Sequence, residues 1–123
     1  MRLRRQRDLI ELVKVHPWRA DLPGQGAWQS VWPEEQKKPL HLEVGSGRGG
    51  FLLGMAHKNP AIRFLGLEKV PEVAFRACEK LANQKISNAR LVVEDAQDLR
   101  LLFGPDEVDR IYLNFSDPWP KNR

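Results

Sequence analysis

The chain has 123 residues, 41% hydrophobic and 29% charged; that is enough for one buried core and falls in the single-domain range of ~50 to 250 residues. No apolar run approaches the ~18 residues of a membrane span. The basic start Met1-Arg2-Leu3-Arg4-Arg5-Gln6-Arg7 runs into Asp8, Glu11 and Lys14 where a secretory signal needs an uncharged stretch, so the cytoplasm is the expected location. One cysteine, Cys78, excludes an internal disulfide and a multi-cysteine zinc site, no metal is expected, and the net charge of +4 suits a polyanionic partner as well as a solvated basic tail.

Residues 1–38 read as a basic, irregular amino-terminal extension, with a short helix around Asp8 to Val15 and then a stretch bearing Pro, Gly and Trp. From Pro39 short apolar runs alternate with helical segments, the pattern of a parallel sheet covered by helices, so residues 39–123 are read as an α/β domain. The first strand is Leu40 to Val44, and the helix through Phe51, Leu52 and Met55 is stopped by Asn59-Pro60. A second strand, Arg63 to Glu68, leads into a helix that Pro71 can start, because an N–H is not needed at its first position. Val73, Ala74, Ala77 and Leu81 form its apolar stripe, and Cys78 reads as a small buried hydrophobe. A third strand, Ala89 to Glu94, a short helix near Gln97 to Leu102 and a fourth strand from about Arg110 to Phe115 complete the pattern.

Glu43-Val44-Gly45-Ser46-Gly47-Arg48-Gly49-Gly50 lies between a strand and a helix, where open α/β sheets bind nucleotides. Its glycines fit both a dinucleotide pattern (Gly45, Gly47, Gly50) and an acid followed by three alternating glycines (Glu43, Gly45, Gly47, Gly49), so alone they do not choose a cofactor. Glu43 does: a carboxylate there repels a pyrophosphate and attracts the ammonium and sulfonium of S-adenosylmethionine. Glu68, at the end of the second strand, can accept both ribose hydroxyls, and Asp95 with the N–H near Ala96 can read an adenine edge. Each has a structural alternative: Glu43 as a helix cap or partner of Arg48, Glu68 as a surface partner of Lys69, Asp95 as a helix cap. Together, three acids at three successive strand ends on one sheet edge favour a cationic nucleoside cofactor.

The last residues, Asn114-Phe115-Ser116-Asp117-Pro118-Trp119-Pro120-Lys121-Asn122-Arg123, place an acid after an apolar strand, beside a rigid Pro-Trp-Pro and two cations. Asp117 is positioned for a base, Trp119 either to stack on it or to pack against the domain, and Lys121 and Arg123 either to hold a phosphate or to remain solvated. Stacking contributes ~1 to 3 kcal/mol per base.

With Leu42 to Gly49, Gly66-Leu67-Glu68 and Asp95-Ala96, the run Ile111 to Arg123 closely resembles the bacterial single-chain tRNA (guanine-N7)-methyltransferases, and the likeness covers most of the chain. The resemblance implies a Rossmann-like class I methyltransferase sheet and tRNA as partner. It also implies S-adenosylmethionine held by Glu43, Glu68, Asp95 and Asp117, with Asp117 catalytic and Lys121 on the substrate. Members of that family continue with further strands that this sequence lacks, so the expected sheet is truncated after the fourth strand. Ile111, Leu113 and Phe115 then lose cover at about 1.5 to 3 kcal/mol each, and the expectation is weak or no isolated activity and either marginal stability or self-association through that edge. The alternatives are a methyltransferase for another base or a small molecule, and a non-catalytic cofactor- or RNA-binding remnant.

Overall fold

Four short apolar segments, each followed by a helical or turn segment, build a parallel sheet. The computed structural model describes residues 6–33 and 38–114. Strands β1 (Leu40–Val44), β2 (Arg63–Glu68), β3 (Ala89–Val93) and β4 (Arg110–Leu113) lie in the order β3-β2-β1-β4. The chain steps outward from β1 to β3 and then returns to the other side of β1. Strand order therefore reverses between β1 and β4, which opens a crevice at their carboxyl ends. In register, Glu43 stands opposite Gly66 on one side and Tyr112 on the other, and Glu68 opposite Val93.

The bounds of β1 and β2 are those the sequence predicts. β3 ends one residue early, although the Glu94 N–H still donates to the Glu68 carbonyl at 3.1 Å. β4 ends at Leu113, and Phe115 lies outside the described residues. In place of a helix over Gln97 to Leu102 there is a single 3₁₀ turn, Leu99–Leu101, because Asp98 accepts the Arg100 N–H at 3.0 Å and starts the turn later.

Three helices cover one face. α2 (Gly50–Lys58) and α3 (Pro71–Asn83) pack on the sheet, and α1 (Gln6–Lys14) packs on α3 through Leu9 and Val13, one turn apart. α3 starts at Pro71 and buries Ala74, Phe75, Ala77, Cys78 and Leu81, with Val73 half-buried. Burial pushes the Cys78 thiol up to about 12, so it stays protonated and packs as a hydrophobe.

Residues before Pro39 close the other face. Trp28 and Trp32, with Phe103, cover Leu40, Leu42, Leu65, Leu67 and Val92. Trp28 is fully buried; its ring stacks on Phe103 with centroids 4.8 Å apart, and its Nε1–H donates to the Leu102 carbonyl at 2.8 Å. The same segment guards the outer edge of β3: the Leu91 N–H donates to the Trp18 carbonyl at 2.9 Å and the Ala20 N–H to the Leu91 carbonyl at 2.7 Å. At the opposite edge, no strand pairs beyond β4 among the described residues, and Ile111 and Leu113 are 48% and 63% exposed.

Candidate active site

The loop from β1 to α2 takes its shape from three glycines in the left-handed region, Gly45 (φ 78°), Gly47 (φ 57°) and Gly49 (φ 86°). At Gly49 a side chain is also excluded by α3, since a Cβ there would lie 2.9 Å from the Ala77 Cβ. Two of the loop's N–H groups, those of Gly45 and Ser46, converge on the Leu67 carbonyl at 2.9 and 3.0 Å. The loop is thus tied to β2 and curls over the carboxyl edge.

Glu68 completes that attachment. It is 8% exposed, its Oε1 accepts the Gly47 N–H at 2.8 Å and its Oε2 accepts the Val70 N–H at 3.2 Å. It is therefore not a surface partner of Lys69. Each carboxylate oxygen keeps a further lone pair, so ribose hydroxyls can still bind while the loop is held.

Glu43 is 2% exposed. The Asn114 side chain donates to Oε2 at 3.1 Å, whereas Oε1 is buried without a hydrogen-bond partner. Burial pushes this carboxyl above its ordinary value; the Ser46 hydroxyl and the Asn114 amide pull it back, and the charge of Glu68 adds to the rise. Glu43 does not cap α2, whose N-cap is Gly49. Leaving a buried acceptor unpaired costs about 1 to 3 kcal/mol, more when it is charged. An unpaired carboxylate oxygen under a glycine loop therefore suits a cationic ligand whose flat part lies on the backbone, and the residues present fit S-adenosylmethionine.

Asp95 stands two residues beyond β3 on the same edge; it is exposed and accepts the Gln97 Nε2–H at 3.1 Å. The capping role falls to Asp98, which leaves Asp95 open to a ligand. Ala96 is half-buried against the Trp28 and Phe103 cluster. The structure thus brings Glu43, Gly45, Gly47, Gly49, Glu68, Asp95 and Ala96 to one edge. Asp117, Trp119, Lys121 and Arg123 lie outside the described residues.

Three residues that lie inside the sequence motifs have roles at this edge that the motifs do not assign. Asn114 contacts Glu43 directly; Ser46 is buried beside it; Gly66 makes room for Ser46, because a Cβ there would run into the Ser46 hydroxyl and come within 3.0 Å of Leu52. Asn114 was within reach of strand alternation. Tyr112 aligns with Glu43, so the residue two further along shares its face.

A parallel sheet with reversed order at β1, a left-handed glycine loop over a buried acid and a second acid ending β2 define the Rossmann-like methyltransferase class. Residues 37–123 match the family described as "Putative methyltransferase", and the chain belongs to this methyltransferase family. Solved structures share the fold. An antibiotic-related methyltransferase is 22% identical with a TM-score of 0.60, over 87% of this chain and 53% of that one. The YcgJ protein from Bacillus subtilis is 20% identical with a TM-score of 0.55, over 92% of this chain and 42% of that one. A "putative s-adenosyl-l-methionine-dependent methyltransferase" from Methanococcus maripaludis is 14% identical with a TM-score of 0.55, over 98% of this chain and 57% of that one. The chain spans about half the length of the solved proteins it matches.

Proposed function

We propose that this chain carries the cofactor-binding part of a cytoplasmic enzyme that methylates N7 of a guanine in tRNA, with S-adenosylmethionine as methyl donor. The observation that carries the cofactor reading is the buried, half-satisfied Glu43 carboxylate beneath the glycine loop. Support for the substrate comes from Asp117-Pro118-Trp119-Pro120-Lys121 directly after the β4 edge and from the likeness to tRNA guanine-N7 enzymes.

S-adenosylmethionine supplies an electrophilic methyl whose bonding pair returns to sulfur on transfer. The residues of the chain have a simpler task, since guanine N7 carries a free lone pair and no proton has to be removed before attack. Glu43 holds positive charge, Glu68 accepts ribose hydroxyls and fixes the loop, and Asp95 with the N–H near Ala96 reads the adenine edge. Asp117 accepts hydrogen bonds from the guanine edge and stabilises the charge that develops on the ring. Trp119 stacks on the base, and Lys121 and Arg123 hold phosphate. The main demand is alignment of lone pair and methyl.

Incubation with labelled S-adenosylmethionine and unmodified tRNA, followed by strand cleavage selective for N7-methylguanosine, tests this reading. Label at N7 that is lost in Asp117→Ala, with cofactor binding partly kept, is the expected result. Label at another base atom, or turnover unchanged in that variant, overturns it.

A further inference from the structure

The Asn114 side chain joins two parts of the site that the motifs treat separately. Its backbone N–H donates to the Val44 carbonyl at 3.3 Å, at the end of β1, and its Nδ2–H donates to Glu43 Oε2 at 3.1 Å. In the sequence it stands three residues before Asp117 of the Asp-Pro-Trp-Pro segment. Around Glu43, β2 contributes Glu68, the loop contributes Ser46 and the exposed Arg48, β1 carries His41 on the same face, and β4 contributes Tyr112 and Asn114. Among the described residues no cation is paired with Glu43, so Asn114 supplies its one geometrically complete hydrogen bond.

We propose that Asn114 is a positioning residue for the cofactor. Its amide occupies Oε2, fixes the carboxylate plane and leaves Oε1 free for the cationic part of the methyl donor, so cofactor binding is tied to the carboxyl end of β4. An amide suits this role: it donates a hydrogen bond without cancelling the charge that the ligand must meet, whereas a lysine there would satisfy Glu43 permanently. The burial of Glu43, which resists ionisation, makes the donated hydrogen bond matter more than it would at the surface. Because β4 leads straight into the substrate segment, a shift of Asn114 on base binding would be felt at Glu43, and the reverse.

This inference rests on the proposed cofactor, and its test separates the two. Asn114→Leu removes the donor at similar volume, and Asn114→Ser keeps a shorter one. Calorimetric titration of the whole chain with S-adenosylmethionine between pH 5.5 and 8.5 is paired with carbon-13 NMR titration of the Glu43 carboxyl without ligand. The leucine variant is expected to lose about 10- to 100-fold in affinity, with the Glu43 titration moved upward and the loss greatest at low pH. The serine variant recovers part of both. A merely structural role would not move the Glu43 titration. If the wild-type chain binds the cofactor and the leucine variant matches it in affinity and titration, the inference fails while the cofactor reading stands. If the wild-type chain binds no S-adenosylmethionine across this range, both fall.

Discussion

The Glu68 carboxylate accepts the Gly47 N–H at 2.8 Å, so the acid that ends β2 also holds down the glycine loop of β1. Its contribution is therefore present before any ligand arrives. Glu68→Ala is expected to lose about 1.5 to 3 kcal/mol of stability through the lost charged hydrogen bonds, read as a lower Tm without cofactor, and also to weaken cofactor binding. Glu68→Gln, which retains one acceptor oxygen, should keep part of the stability. A variant with unchanged Tm but weakened binding would restrict Glu68 to the ligand.

Gly49 is constrained twice, by φ 86° and by the Ala77 Cβ at 2.9 Å from where its own Cβ would be. Gly49→Ala should destabilise by about 1 to 3 kcal/mol, combining left-handed strain and overpacking. The double variant with Ala77→Gly removes the shortest contact, leaving the Ala77 Cα at 3.1 Å, but not the strain. Its loss should be smaller than the sum of the two single losses in a double-mutant cycle, and strict additivity would show that α3 yields without cost.

Much of this edge was legible in the sequence because its signals are local. A five-residue apolar strand, an acid two residues before a glycine, and Pro71 opening a helix each follow from near neighbours along the chain. What stayed hidden depends on distant partners. Nothing in the periodicity of residues 1–38 says that Trp28 is fully buried over Leu40 and Leu65, or that Trp18 and Ala20 pair with Leu91 across 71 to 73 positions of sequence. The fit of Ser46 against Gly66 was illegible for the same reason: it appears only once β2 lies beside the loop.

Glu107 shows how that amino-terminal cover is fastened. Its Oε1 accepts the N–H groups of Gly26 at 2.8 Å and Gly104 at 2.9 Å, and its Oε2 accepts that of Trp28 at 2.8 Å. Glu107→Ala leaves three backbone donors without their acceptor. The expected effect is a loss of about 2 to 4 kcal/mol, with tryptophan emission shifted to the red as Trp28 is wetted. A Tm unchanged within error would mean that the stacking of Trp28 on Phe103 suffices alone.

Burial of Glu43 makes a statement about pH. Its folded-state pKa lies above the unfolded value, so the folded chain binds more protons, and the stabilisation is fully present below the unfolded pKa of about 4.5 and is lost as pH rises through the folded value. Glu43→Gln should therefore raise the Tm of the ligand-free chain near neutral pH and flatten its fall with pH above about 4.5, while removing cofactor binding. Calorimetric melts across pH 4 to 8 check the sign. A variant that melts lower than wild type at pH 7 would show that Glu43 is stabilised in its charged form even without ligand.

The β4 edge carries the last prediction. Ile111 and Leu113, 48% and 63% exposed, belong to the strand whose outer side is unpaired among the described residues. An open parallel edge with apolar side chains favours pairing with a second copy. β3, at the other edge, is already covered through Leu91, so the association should close at β4 and give dimers rather than open-ended chains. Leu113→Lys places a charge on the exposed face without altering the buried neighbours of β1, and it should shift sedimentation from dimer to monomer. Dimerisation that survives Leu113→Lys and Ile111→Lys together would move the contact to another surface.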